Sequence, residues 1–142
     1  QMYDGLELSK YIVSKCIQDD CQISNLQLQR ILYLVQREFL QKRGCPAFED
    51  SIQAWPFGPV IPKVYYYFCG FGAMPISHLY GQHEIDPDGR ELVDNIVEAK
   101  RTLPPWILCA ETNKNNGAWD KTYRNGAGNE NVIPVSLIQT IG

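Results

Sequence analysis

Apolar and polar positions alternate most clearly between Ser24 and Gly44. Leu28, Ile31, Leu32, Val35 and Phe39 fall there at offsets i, i+3, i+4, i+7 and i+11. This spacing predicts an α-helix with one buried stripe and with Gln29, Arg30, Gln36 and Arg37 turned elsewhere. Its start has the form of a capping box: Ser24 can accept from the Gln27 N–H, Gln27 can reach back to the Ser24 N–H, and Ile23 can pack on Leu28. Its stop is Gly44, at ease in the left-handed conformation, after Lys42 and Arg43 at the negative helix end. Burying five such side chains stabilises by about 1.5–3 kcal/mol each before chain entropy is subtracted. This helix is therefore the predicted core.

The same logic extends along the chain. Asp4 to Glu7 reads as a second capping box, with Tyr3 and Leu8 as its staple, opening a helix to about Asp19 on the stripe Leu8, Ile12 and Cys16. The short turn from Asp20 to Ile23 makes these two helices a helical hairpin or a helix-turn-helix corner. Residues 51–55 alternate weakly, as a short strand does, and Phe57-Gly58-Pro59 reads as a turn. Pro62 suits the first turn of a helix carrying Val60, Val64, Tyr65 and Phe68 and ending near Gly70 or Gly72. Residues 73–87 read as a loop. Asp88 to Glu91 reads as a third capping box, before a helix on the stripe Leu92, Ile96, Ala99 and Leu103. Pro104-Pro105 stops that helix and opens a short one to Glu111. Trp119 and Tyr123 lie one helical turn apart, Asn125 to Asn131 is a glycine-rich loop, and Pro134 begins a last short helix to Ile141. Val132-Ile133 can pair with 51–55. The expected fold is mainly α, a single compact domain over 1–142, of five to seven helices with a minor β element around 51–55 and 131–133.

Composition narrows the function. A formal charge of −3 over 142 residues argues against a general phosphate-binding surface. No apolar run approaches the length of a membrane span and no charged-then-apolar leader opens the chain, so the expected address is the cytoplasm. The five cysteines (16, 21, 45, 69 and 109) are an odd, scattered set without a C-x-x-C pair, which reads as reduced thiols. Between Glu84 and Glu98 six acidic residues face Arg90 alone, either a solvated helix face or a surface for a basic protein partner.

Three segments carry a resemblance: I-S-N-L-Q-L-Q-R-I-L-Y-L-V-Q at 23–36, I-Q-A-W-P-F-G-P-V-I-P-K-V-Y at 52–65, and E-T-N-K-N-N-G-A-W-D-K-T-Y at 111–123. Their order and spacing resemble the SocA-like antitoxin family, whose Panacea domain also occurs in phage-associated proteins of the GepA type. A-W-x-x-G-P-V is the most specific piece. Asn113 departs from the family pattern, standing where a histidine is frequent. The resemblance implies a type II antitoxin that neutralises a toxin encoded beside it, in part of the family as an adaptor delivering that toxin to a protease.

The candidate partner-binding residues are Trp55, Phe57, Gly58, Pro59, Tyr65, Tyr66, Asn113 and Trp119. The first group forms a stiff aromatic turn, and three consecutive tyrosines at 65–67 span about 200° of a helix, so at least one ring faces outward. The plain alternative is that Trp55 plugs the core and the Gly-Pro turn aims the next helix. Asn25, Gln27, Gln29 and Arg30 could read base edges, making a small DNA-binding regulator on helices one and two the alternative function. No basic flank accompanies them, so nucleic acid is not an expected partner. His78 and His83 with Cys69 lack zinc-ligand spacing, and Cys69 or Cys109 lacks a positioned imidazole. No catalytic residue, metal or cofactor is expected.

Overall fold

The computed structural model describes residues 2–81 and 85–142. At its centre lies α2, Asn25–Arg43. Both arms of the expected capping box are formed, and Gly44 closes the helix at φ 71°. Packed around α2 are α1 (Gly5–Gln18), α3 (Pro62–Phe68), α4 (Pro87–Lys100), α5 (Pro105–Thr112) and α7 (Val135–Ile141), with a strand pair against its flank. The short α6, Ala118–Tyr123, sits between that pair and α7.

Encirclement changes what α2 buries. Beyond the predicted stripe, Tyr33, Leu34 and Leu40 are buried too, and so are Gln29 and Gln36. A helix ringed on most sides has no solvent face in its middle. Its buried amides then bond whatever surrounds them, although the Tyr33 hydroxyl and Arg37 Nε are buried with no partner among the described residues. Gln36 does so three times: Oε1 accepts from the Ala47 N–H at 2.8 Å and the Phe48 N–H at 3.3 Å, and Nε2 donates to the Phe48 carbonyl at 2.9 Å. The 47–48 segment in turn accepts the Tyr3 N–H, so Gln36 holds the chain's beginning at one remove.

The β element is a hairpin, β1 (Gln53–Trp55) against β2 (Gly58–Val60), with Ala54 opposite Pro59. The expected turn at Phe57-Gly58-Pro59 is thus corrected to Pro56-Phe57. A proline fits inside this ladder because both backbone groups of Ala54 point the other way, to Glu130 and Asn131. On that outer edge Gln53 bridges Val132, as the 51–55 and 131–133 pairing anticipated.

Two expectations fail at α4. The cap is Asp86, which accepts from the Gly89 N–H, and Asp88 lies inside the first turn. Pro87 decides this, since its fixed φ suits the first helical position and places the cap one residue earlier. The buried stripe is Val93, Ile96 and Val97, whereas Ala99 is exposed and Leu103 lies past the helix end.

Asp4, Asp19 and Asp86 are held below the ordinary carboxylate range. The Glu7 N–H does this for Asp4, the hydrogen bond from Arg101 and then Lys15 for Asp19, and the Tyr3 hydroxyl and Gly89 N–H for Asp86. A folded value below the unfolded one means the stabilisation is complete above about pH 4 and is lost as pH falls through the folded values. The melting temperature should therefore hold between pH 7 and 5 and drop below pH 4. Asp19→Asn should remove part of that drop, and an equal acid response in the variant would contradict this assignment.

Candidate functional site

The hairpin and α3 form a corner around Trp55. Its ring lies edge-on to Tyr65 at 5.2 Å and to Phe57 at 6.0 Å, with Tyr66 at 5.9 Å. Trp55, Phe57 and Tyr65 are half-buried, while Tyr66 is 62% and Tyr67 47% exposed, so the aromatic cluster reaches the surface. Gly58 and Pro59 are buried beneath it. Trp119, on α6, is half-buried, stacks on Tyr123 at 4.9 Å and donates its indole N–H to the Trp55 carbonyl at 2.9 Å.

A polar knot fixes the turn from below. Arg30 Nη2 donates to the Phe57 carbonyl at 2.9 Å, and Nη1 donates to Thr112 Oγ1 at 2.7 Å and Asn113 Oδ1 at 3.3 Å. Asn113 Nδ2 also donates to the Phe57 carbonyl, at 3.0 Å, and approaches Cys109 Sγ at 3.3 Å. Gly58 makes this approach possible: a Cβ there would stand 2.8 Å from Asn113 Oδ1 and 2.9 Å from Arg30 Nη1, at a φ of +141°. A second relay runs beside it. Gln29 Oε1 accepts from the Ile61 N–H, Gln29 Nε2 donates to Asn25 Oδ1, and Asn25 Nδ2 donates to the Tyr65 carbonyl. Burial lowers the pKa of Arg30, with the nearby Cys109 acting the other way, and the acceptors of its hydrogen bonds are neutral oxygens.

The structure thus joins Trp55, Phe57, Gly58, Pro59, Tyr65, Tyr66, Asn113 and Trp119 in one assembly, through Arg30, Gln29 and Asn25. Those last three are the residues that could have read bases. Asn25 and Gln29 are 3% and 2% exposed, and Gln27 is occupied by its cap and by the Arg101 carbonyl, so this helix start presents no reading edge. The readable signal was amides at helical spacing (Asn25, Gln29, Gln36) around an apolar stripe.

Other candidates stay apart. All five cysteines are free, Cys69 being exposed and Cys109 half-buried. His78 lies exposed against the Tyr80 ring, while Gln82, His83 and Glu84 are outside the described residues. Among the described residues no group of three His, Cys, Asp or Glu side chains could hold a metal ion, and no helix is long and apolar enough to cross a membrane. Part of the 84–98 acidity is consumed internally, Asp94 by the Tyr11 hydroxyl and Glu98 by Lys15. A cleft of about 660 Å³ lies between Met2–Asp4, Glu49-Asp50 and Lys63. Beside the corner is a smaller groove of about 230 Å³, lined by Leu26, Tyr65, Cys69 and Ala73 among others.

No solved structure matches the chain significantly. Antitoxin SocA of Caulobacter vibrioides (strain NA1000 / CB15N) is 31% identical over 140 residues, covering 90% of this chain and 74% of that protein. The family description "Antitoxin SocA-like, Panacea domain" matches residues 28–120, a span holding α2 from Leu28 onward, the whole corner and the Asn113 knot. With two thirds of its length inside that match and a relative at this identity, the chain belongs to the SocA-like antitoxin family.

Proposed function

We propose that this protein is the antitoxin of a two-gene system and neutralises, by direct binding, a toxin protein encoded beside it. The observation that carries the reading is the corner: an outward aromatic cluster on a hairpin whose two turn carbonyls, of Trp55 and Phe57, are fixed by side chains from distant parts of the chain. Rigid aromatics over a preformed support lose little freedom on binding, which is what an anchoring surface needs. In this reading Tyr66, Trp55, Phe57 and Tyr65 touch the toxin, and Gly58, Pro59, Asn113 and Trp119 hold them in place. The protein acts without chemistry of its own. Delivery of the captured toxin to a protease is compatible with the same grip.

The test is co-expression with the neighbouring gene. The toxin alone should arrest growth, and the antitoxin should restore it and co-purify with the toxin. Tyr66→Asp, at an exposed position, should weaken capture by at least about tenfold, the range of a truncated anchor, with an unchanged melting curve. A neighbour that is harmless alone, or equally lethal with and without this chain, sinks the reading. Toxin levels during rescue separate masking, where they hold, from delivery, where they fall.

A further inference from the structure

We propose that the corner receives a segment of the partner protein in which an apolar side chain stands beside a carboxylate. The carboxylate sits on the open side of the Arg30 guanidinium, and the apolar side chain enters the groove between Leu26 and Tyr65. This rests on the reading above that the corner grips a protein.

Arg30 is the first reason. A half-buried guanidinium normally meets a carboxylate, because a desolvated charge without a counter-charge is costly. Here its three hydrogen bonds go to neutral oxygens, and no carboxylate among the described residues acts on it. Of five donors, three are engaged. Among the described residues its Nε has no hydrogen-bond partner, and it is not one of the buried unpartnered atoms, so it is not sealed from solvent. An arginine fixed on one side and open on the other is preorganised for a planar anion.

Local charge is the second reason. From Ser51 to His83 the sequence contains no acidic residue, although the chain carries 16. The hairpin and α3 therefore offer no like charge to repel an incoming carboxylate, in a protein that is acidic as a whole.

The groove completes the argument. Leu26 is 43% exposed and lies four residues before Arg30, so the two side chains are neighbours on one face of α2, with Cβ atoms roughly 6 Å apart. A groove of about 230 Å³ lined by Leu26, Tyr65, Cys69 and Ala73 suits one apolar side chain. Carboxylate and apolar group must then arrive on adjacent or nearby residues.

The experiment is an NMR titration of the full chain with N-acetyl-Leu-Glu-Leu-amide and its neutral isostere N-acetyl-Leu-Gln-Leu-amide. The glutamate peptide should shift the Arg30 Nε–H and the Leu26 and Tyr65 amides, and bind about fivefold tighter than the glutamine peptide. That preference should shrink as salt rises from about 0.05 to 0.5 M. Leu26→Glu, at an exposed position, should abolish the shifts while leaving the melting curve unchanged. Equal binding of the two peptides, absence of binding, or shifts confined to another face overturns the inference. If the peptide preference is absent while Tyr66→Asp still abolishes neutralisation, this inference fails and the antitoxin reading stands. If the preference is present while Leu26→Glu neutralises normally, the toxin is gripped elsewhere and this inference is overturned.

Discussion

A Gly58→Ala chain is expected to melt roughly 10 °C below its parent and to lose capture of its partner. Two costs combine. At φ +141° any side chain strains the backbone, by about 1–3 kcal/mol. The new methyl would also stand 2.8 Å from Asn113 Oδ1 and 2.9 Å from Arg30 Nη1. Both are ends of flexible side chains, but neither is free to retreat, since each is bonded to the Phe57 carbonyl within the same knot. Moving them forfeits hydrogen bonds worth about 1 kcal/mol apiece. A total near 2–4 kcal/mol corresponds to about 10 °C in a domain of this size. Gly44→Ala is the matched control. It too has positive φ, +71°, but open space around the added Cβ, and it lies at the far end of α2. It should melt only a few degrees lower, for about 1 kcal/mol of strain, and keep full partner capture. Calorimetry and co-purification of both variants check this. A Gly58→Ala chain that melts with its parent and still captures the toxin would show that the knot does not support the corner.

Gln36→Leu is the second. Read from the sequence, it would extend an apolar stripe and look harmless. In the fold it leaves the Ala47 N–H, the Phe48 carbonyl and the more weakly held Phe48 N–H without their partner, in a segment that is fully buried. Leucine matches the volume, so no cavity forms, and the loss is that of the stranded backbone groups, about 1–3 kcal/mol for each of the two short bonds. A destabilisation of about 3–4 kcal/mol is expected from the urea midpoint, with fast hydrogen exchange at the Ala47 amide. A midpoint equal to the parent's would mean that the 47–48 segment is held otherwise.

What was legible in the residues was local. Caps, stripes and proline stops are properties of neighbours in sequence, so α1, α2, α5 and α7 lie within a residue or two of the expected bounds, whereas α3 ends at Phe68, short of Gly70, and Val60, expected on it, belongs to β2. The α4 cap was misplaced because two aspartates compete two residues apart and only the proline between them decides. The hairpin was half-seen: Gly58-Pro59 reads as turn chemistry, and only the Ala54 bonds to 130–131 show why a proline can stand in the ladder. The knot was not legible. In sequence Asn113 reads as a departure from a family pattern and Arg30 as a conceivable base reader, and nothing local says that they meet on one carbonyl. Polar side chains on a central helix acquire their partners from tertiary structure alone.

Those partners also set a clock. The Trp55 and Phe57 carbonyls wait for donors from residues 119 and 113, made roughly 60 residues later. At ordinary synthesis rates of about 5–20 residues per second, the corner stays unassembled on the ribosome for about 3–12 s after its own residues have been joined. A chain ending before residue 113 would carry the aromatics without the Asn113 and Trp119 donors that fix the Phe57 and Trp55 carbonyls.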